Sequence, residues 1–192
     1  MVHPETIPVS ASDEDGVFVL GSHALSVDNV APSVSLGGGA NINEGDTFTL
    51  AITGSDPAGA ADPLFYNIDW DDGSAIQTLS AAQLAALGGS VSHVFADDED
   101  GPVNATLRTI TVSADDGDGG VDTATHGVTV HNVAPSLAVT GAATATTGLA
   151  YTLNLANYVD PGQDTLCLFL RVRPRCAGDS RTATPVAQVI FH

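Results

Sequence analysis

The sequence predicts an all-β protein assembled from tandem repeats, and three features of its 192 residues lead to that prediction. The segment "VDNVAPSVSL", which begins at Val27, returns as "VHNVAPSLAV" from Val130, 103 positions later. Between the two copies, apolar and polar residues alternate with a period of two, which is typical of half-buried strands. Runs rich in Gly, Asp, Asn and Pro separate these segments and supply the residues that tight reversals need.

The repeat divides the chain into four parts. A shift of 103 positions also aligns identical residues upstream of the duplicated segment. They run from Ser10 and Ala11 to His23 in the first copy, and from Ser113 and Ala114 to His126 in the second. The pair "DP" at Asp56 meets "DP" at Asp160 after a slip of one residue. We therefore predict the end of one repeat at 1–27, a complete repeat at 28–131, the beginning of the next at 132–166 and an aberrant tail at 167–192.

The "NVAP" segments are interpreted as seams between modules. Pro32 and Pro135 fix their own φ and hold the preceding residue in an extended conformation, which stiffens a short linker.

Within the complete repeat the alternating residues predict strands in order along the chain. The first group is Phe48, Leu50 and Ile52, the second is Leu64, Tyr66, Ile68 and Trp70, and the third is Ile110, Val112 and Ala114. The segment "SAAQLAALGG" from Ser80 to Gly89 has no such alternation and predicts a short helix that crosses between two sheets. About seven strands, with Trp70 on the third, predict an immunoglobulin-like antiparallel β-sandwich.

Three motifs of the complete repeat carry a resemblance to a known family. They are "YNIDWDDGS" from Tyr66, "VSHVFADDEDG" from Val91 and "RTITVSADDGDGGVDTATHGVTVHNVAP" from Arg108. Together they resemble the PKD domain, a sandwich module that occurs in tandem in large secreted or surface proteins. The seam is also similar to repeats of giant bacterial adhesins with cadherin-like modules. The resemblance implies an extracellular or cell-surface location, with neighbouring repeats and surface glycans or proteins as partners. The helical insertion near Ser80 departs from the family pattern.

The tail departs from the repeat. A third copy of "WDDG" is expected near position 173, but the chain there reads "LFLRVRPRCAGDSRTATPVAQVIFH". Four of the five arginines and both cysteines fall after Leu166. The change in composition indicates a shifted reading frame or a divergent terminus, and a segment of this kind is expected to be disordered.

The charge balance excludes several classes of partner. The net charge is −18, and the sequence contains five arginines and no lysine. Nucleic acids and anionic membranes both require a positive protein surface, so neither is expected as a partner. No apolar run is long enough to span a bilayer, so membrane insertion is not expected either. Cations remain as candidate ligands.

The acidic residues are expected to collect at the two ends of the sandwich, where its loops lie. A hard cation with oxygen ligands would relieve their repulsion and lock neighbouring modules in line, which predicts calcium at the seams. The candidate ligands are Asp28, Asp97, Asp98, Asp100, Asp115, Asp116 and Asp118. The alternative interpretation is that these residues only build turns and keep the surface soluble.

No catalytic constellation emerges from the sequence. His126 and His131 alone have the spacing of a zinc pair, and a strand and a linker are expected to separate their side chains. No serine lies in a Gly-x-Ser-x-Gly elbow, and Asp69 and Trp70 are adjacent on a strand and so point to opposite faces. The sequence therefore predicts a non-catalytic spacer and adhesion module with calcium-stiffened junctions. The alternative is a carbohydrate- or protein-binding accessory module of a secreted hydrolase.

Overall fold

The computed structural model describes residues 3–98, 104–146, 148–164, 167–169 and 188–190. It confirms the all-β prediction. The strands are β1 His3–Asp13, β2 Gly16–Val27, β3 Ser33–Gly37, β4 Asn41–Asn43, β5 Thr47–Ser55, β6 Phe65–Asp69, β7 Gln77–Ser80, β8 Ser90–Val94, β9 Ala105–Asp115, β10 Val121–His131, β11 Ser136–Gly141, β12 Leu153–Val159, β13 Cys167–Phe169 and β14 Gln188–Ile190. Helix α1 spans Ala81–Ala86, and Gly59–Ala61 form a 3₁₀ turn. No helix in the described part of the chain has the length and apolar character needed to cross a membrane.

The region from 28 to 131 forms a two-layer sandwich. One sheet has the strand order β3-β5-β8 and the other has the order β4-β10-β9-β6-β7. Within each sheet the pairs are antiparallel, except that β4 runs parallel to β10. One apolar core lies between the sheets and takes side chains from both of them.

The alternation read from the sequence defines the core. Every apolar residue that it assigned to an inner face is buried, in the three groups that begin at Phe48, Leu64 and Ile110. Val128 and Val130 of β10 and Phe95 complete the same core. Because successive side chains of a strand point to opposite faces, the polar residues between them reach the outside.

The complete repeat contains eight strands rather than about seven. The segment around Asn41–Asn43 lies in one of the runs rich in Gly and Asn that predict reversals, but it forms β4, whose Ile42 pairs with Val130. A three-residue strand with one apolar residue has no readable alternation, and only its backbone pairing with β10 defines it. Trp70 lies directly after β6, which is the fourth strand of the repeat and not the third.

Helix α1 confirms the predicted insertion. The Ser80 hydroxyl accepts a hydrogen bond from the Gln83 amide at 3.2 Å, and the Gln83 side chain accepts one from the Ser80 amide at 2.8 Å. This capping box satisfies backbone donors that the first turn leaves unpaired. Leu84 buries its side chain in the core. The helix joins β7 of the five-stranded sheet to β8 of the three-stranded sheet.

The flanking segments form separate two-stranded sheets, β1 with β2 and β11 with β12. The one-residue slip of the repeat has a structural cause. The register between β11 and β12 shifts between Ser136 and Ala138, and Asn157 opposite has a φ of 53°. The additional residue is therefore absorbed as a bulge in β12. Of the tail from 167 to 192, β13 and β14 pair with each other, and the remaining residues lie outside the described part of the chain.

Trp70 is held in the core by an aromatic stack. His93 of β8 lies parallel to the indole with ring centroids 4.4 Å apart, and Phe95 meets the edge of both rings. The His93 Nε2 lies 2.6 Å from the Asp72 Oδ2. The "WDDG" motif and the "SHVF" segment therefore contact each other, through the stack of Trp70 on His93 and the pairing of His93 with Asp72.

We expect Asp72→Asn to reduce stability at neutral pH by about 1 to 3 kcal/mol. Burial opposes ionisation of Asp72, but hydrogen bonds from Ser74 and His93 outweigh it and lower the pKa. A carboxyl group with a lowered pKa in the folded state contributes stability above its unfolded pKa and loses it as the pH falls through the folded value. Urea unfolding at several pH values measures this effect. The difference from the unmodified chain should vanish in acid below the ordinary value of 3.8.

Asp15→Asn, in the exposed turn between β1 and β2, is the matched control for Asp72→Asn. A loss that is equally large at every pH would contradict the assigned role of the Asp72 carboxylate.

Candidate metal sites at the seams

Acidic side chains converge at the end of the sandwich where the chain passes into the following segment. The C-terminal seam cluster consists of Glu44, Asp97, Asp98 and Asp164, whose ligand atoms all lie within 4.8 Å of one another. Glu44 follows β4, Asp97 and Asp98 follow β8, and Asp164 follows β12. Three ligands therefore come from the complete repeat and one from the next.

Glu44 is central to this cluster and is only 1% exposed. Its Oε1 accepts a hydrogen bond from the Val133 amide at 2.6 Å, and its Oε2 accepts one from the Asp98 amide at 3.2 Å. Val133 belongs to the "NVAP" seam. One buried carboxylate thus ties the seam to the loop after β8.

Several oxygen atoms around this cluster are buried without a hydrogen-bond partner. Asp98 is 1% exposed, yet its Oδ2 has no partner. The same holds for the Oδ1 atoms of Asp97, Asn132 and Asp160. Arg108, the one arginine in the described part of the chain, donates to the backbone carbonyl of Asp98 at 2.6 Å. Buried carboxylate oxygens without a donor are costly, so these atoms are candidate ligands for a cation.

The segment after β12 packs tightly against Glu44. The Gln163 amide donates to the carbonyl of Ala96 at 3.0 Å. A Cβ atom on Gly162 would lie 2.6 Å from the Glu44 Oε2, and one on Gly45 would lie 2.7 Å from the Pro161 carbonyl oxygen. Glycine at both positions allows the backbone of the following repeat to reach the cluster.

A second acidic group lies at the opposite end. The N-terminal seam cluster consists of Asp56, Asp62 and Asp116, again with ligand atoms within 4.8 Å of one another. Asp116 is buried and accepts a hydrogen bond from the Asn29 side chain at 2.7 Å. Its Oδ1 accepts bonds from the amides of Asp118 and Gly120, and the Oδ2 of Asp56 is buried without a partner.

The electrostatics of the two clusters follow from their geometry. Burial and the charges of Glu44, Asp97, Asp160 and Asp98 raise the pKa of Asp164. Burial and the charges of Asp116, Asp56 and Asp118 raise the pKa of Asp62. The hydrogen bond from Asn29, opposed by burial and assisted by the amides of Asp118 and Gly120, lowers the pKa of Asp116. Each cluster therefore contains one carboxyl group that resists ionisation beside its neighbours, as crowding without a counter-ion predicts.

The two clusters are related by the internal repeat. Asn132 is the counterpart of Asn29, and Asp160 is the counterpart of Asp56. Asp164 follows Asp160 in the loop that corresponds to the one from Asp56 to Asp62. The C-terminal seam therefore combines Glu44, Asp97 and Asp98 of one repeat with the counterparts of N-terminal seam residues from the next.

The structure brings together only some of the ligands proposed from the sequence. Asp97 and Asp98 lie in the C-terminal cluster, and Asp116 lies in the N-terminal cluster. Asp28 and Asp118 line a cavity of about 350 Å³ beside Asp56 and Asp62. The carboxylate of Asp115 instead accepts a hydrogen bond from the Gly117 amide in the turn before β10. Asp100 lies outside the described residues.

Four cluster members, namely Glu44, Asp56, Asp62 and Asp164, were absent from the list of ligands proposed from the sequence. All four lie at the ends of the sandwich, where the sequence predicts that acids collect, but among them only Glu44 has another acid within two residues, namely Asp46. The sequence signal that could have identified Asp56 as a ligand is the repeat, because its counterpart Asp160 occurs at the next seam.

The histidines take structural positions. His126 pairs with the carbonyl of Gly39 at 3.1 Å, and His131 pairs with the Asn41 side chain at 3.0 Å. Both contacts join β10 to the segment around β4.

The sequence matches no protein-family model and no curated protein. The metal preference of the two clusters is therefore inferred from the ligand atoms that they contain. The donors are carboxylate and amide oxygens without sulfur or imidazole, which is the set that suits calcium or magnesium rather than zinc or copper. The clusters fit a hard divalent cation.

Proposed function

We propose that this chain is a non-catalytic spacer and adhesion module of an extracellular or cell-surface protein, in which calcium stiffens the junctions between PKD-like repeats. The observation that carries the proposal is the C-terminal seam cluster. Carboxylates from two successive repeats approach within 4.8 Å, and the buried Oδ2 of Asp98 has no partner. A cation there would bind both repeats at once and so oppose bending at the seam.

The fold supports the assignment to an immunoglobulin-like module. Strands β3, β5 and β8 face a sheet built on β10, β9 and β6, and Trp70 lies in the core between them. In a sandwich with its first and last strands at opposite ends, successive copies extend in a line. An array of this kind would hold a distal domain away from a surface, and a net charge of −18 would keep it soluble.

Calcium is favoured over magnesium by the nature of the ligands. Four carboxylate side chains form the C-terminal seam cluster, namely Glu44, Asp97, Asp98 and Asp164, and the charge of Asp160 also acts on Asp164. Calcium accepts six to eight oxygen ligands in flexible geometry, whereas magnesium demands a regular octahedron and retains its water. When bound, the cation would supply charge neutralisation and a cross-link, while Glu44 would continue to anchor the seam through Val133.

The alternative, a carbohydrate-binding accessory module, gains no support from the aromatic residues of the complete repeat. A sugar platform needs exposed rings. Trp70, Tyr66, Phe48 and Phe95 are instead in the core. Phe65, whose ring is 47% exposed, is the one exposed aromatic residue in the described part of this repeat, and a single ring does not build a platform.

We expect calcium to raise the melting temperature of the chain. With a dissociation constant on the order of 0.1 to 1 mM, typical of extracellular modules, about 10 mM calcium should add roughly 1.4 to 2.7 kcal/mol of stability. That corresponds to a rise of several degrees. Differential scanning calorimetry in EDTA and in calcium measures the shift, with equal ionic strength and with magnesium as the control ion. Equal melting temperatures in EDTA and saturating calcium would overturn the proposal.

A further inference from the structure

The N-terminal hairpin exposes an apolar face that the complete repeat buries. Ile7 and Val9 of β1 are each 50% exposed, whereas their repeat counterparts Ile110 and Val112 are fully buried. On β2, Leu25 and Val27 are exposed, while their counterparts Val128 and Val130 are buried. The hairpin therefore has the inner face of a sandwich sheet, and no second sheet covers that face among the described residues.

The strand register shows that this correspondence is structural as well as sequential. From His3 to Val9 the hairpin pairs β1 with β2 in the same register as β9 with β10. Ile7 pairs with His23 as Ile110 pairs with His126. The same side chains therefore lie on the same face in both hairpins.

The segment after the second seam presents the complementary half. Leu153 and Leu155 of β12 are exposed, at 39% and 38%, whereas their counterparts Leu50 and Ile52 are buried. Val139 pairs with Leu155 as Leu36 pairs with Ile52. Leu168 of β13 lies at the edge of this face beside Leu155.

The complete repeat shows what covers each face. In its core, the side chains of β5 pack against those of β9 and β10. Within one chain the β1–β2 hairpin precedes the first seam, and the β11–β12 pair follows the second. Every residue of β1 from Pro4 onward and every residue of β2 is exposed. In the part of the chain that the structure describes, neither half is covered by its complement.

We propose that the β1–β2 hairpin of one copy packs on the β11–β12 pair of a second copy and rebuilds part of the sandwich core between chains. The occupant of the hairpin face is a second copy, because that copy carries the face which the repeat itself uses. The contact joins different surfaces of the two chains, so it is heterologous and propagates head to tail into chains or rings. Its contacts are apolar, and it needs no metal.

Two substitutions separate the two faces. Ile7→Lys places a charge on the hairpin face, and Leu153→Lys places one on the β12 face. Thr6→Lys and Asn154→Lys are the matched controls, since each changes a neighbouring residue that points to the opposite side of its strand. All four positions are exposed, so folding of the central sandwich should be retained and can be checked by circular dichroism.

Sedimentation velocity on the full chain, from about 1 to 300 μM to cover ordinary affinities, tests the proposal. The unmodified chain and both controls should form growing oligomers, whereas each face variant alone should remain monomeric. An equimolar mixture of the two face variants should give dimers and nothing larger, because one intact hairpin meets one intact β12 face. The result should be the same in EDTA and in calcium.

Three outcomes would overturn the inference: an unmodified chain that stays monomeric throughout, face variants that assemble as well as the controls, or a mixture that shows no dimer. Oligomers that appear in calcium alone would assign the association to the acidic seams instead.

Discussion

Replacement of Trp70 by alanine is expected to lower the free energy of unfolding of the central sandwich by about 3 to 5 kcal/mol. Trp70 is 2% exposed, stacks on His93 and meets Phe48 and Phe95 edge to face. Its removal leaves a cavity that the two sheets cannot close without shifting from their packed positions, and it takes away the ring that positions His93 for Asp72.

Since small domains have only about 5 to 15 kcal/mol of stability, this loss should leave a substantial unfolded population at 37 °C. Urea unfolding monitored by circular dichroism measures it. Phe65→Ala, on the preceding strand with its ring 47% exposed, is the matched control and should cost far less. Similar losses for the two variants would show that Trp70 is not a central element of the core.

Asp98→Asn is expected to act in opposite directions with and without calcium. In EDTA it should stabilise the chain by about 1 to 3 kcal/mol, because an amide relieves the repulsion and can donate to the neighbouring carboxylates. Asp98 lies within ligand distance of three other acids, and it contributes to the raised pKa of Asp164.

In calcium the same variant should lose most of the metal-induced rise in melting temperature. Removal of a charged ligand should weaken calcium binding by about tenfold or more, since even residues that only orient ligands cost that much. Isothermal titration calorimetry and paired thermal scans measure both effects.

Asp46→Asn removes an exposed carboxylate two residues from Glu44, in the loop between β4 and β5, and is the matched control for charge alone. It should change neither the stability in EDTA nor the shift in calcium. If Asp98→Asn destabilised the chain in EDTA, the buried carboxylate would have a structural partner rather than a cation. If the calcium shift survived the change, the metal would bind elsewhere.

The acidic seams show which features of the candidate site the sequence pattern could predict. The sequence predicted that Asp97, Asp98 and Asp116 lie in loops at the ends of the sandwich, because alternation marks the strands and runs rich in Asp and Gly mark the loops between them. It could not separate Asp115 from Asp116, since both are acids in one turn. The choice depends on which carboxylate the turn geometry directs toward Asn29 and which it turns back to Gly117.

Glu44 illustrates a residue that only the tertiary structure could single out. Its role depends on Val133, 89 positions away, and on Asp98, 54 positions away. Nothing local distinguishes it from a solvated glutamate in a turn. Strand β4 was missed for the same reason, because its definition is a backbone contact with β10 and not a pattern of its own.

The sequence alone determined the all-β class, the 103-residue spacing of the duplicated segment and the inner faces of β5, β6 and β9, because alternation is a local pattern and a duplication is visible by comparing the chain with itself. The tertiary structure alone decided which acids meet across the seam, which oxygen atoms are buried without a donor, and which apolar faces remain uncovered. These are distances between residues far apart in the chain, and they are set by how two sheets and two seams pack together.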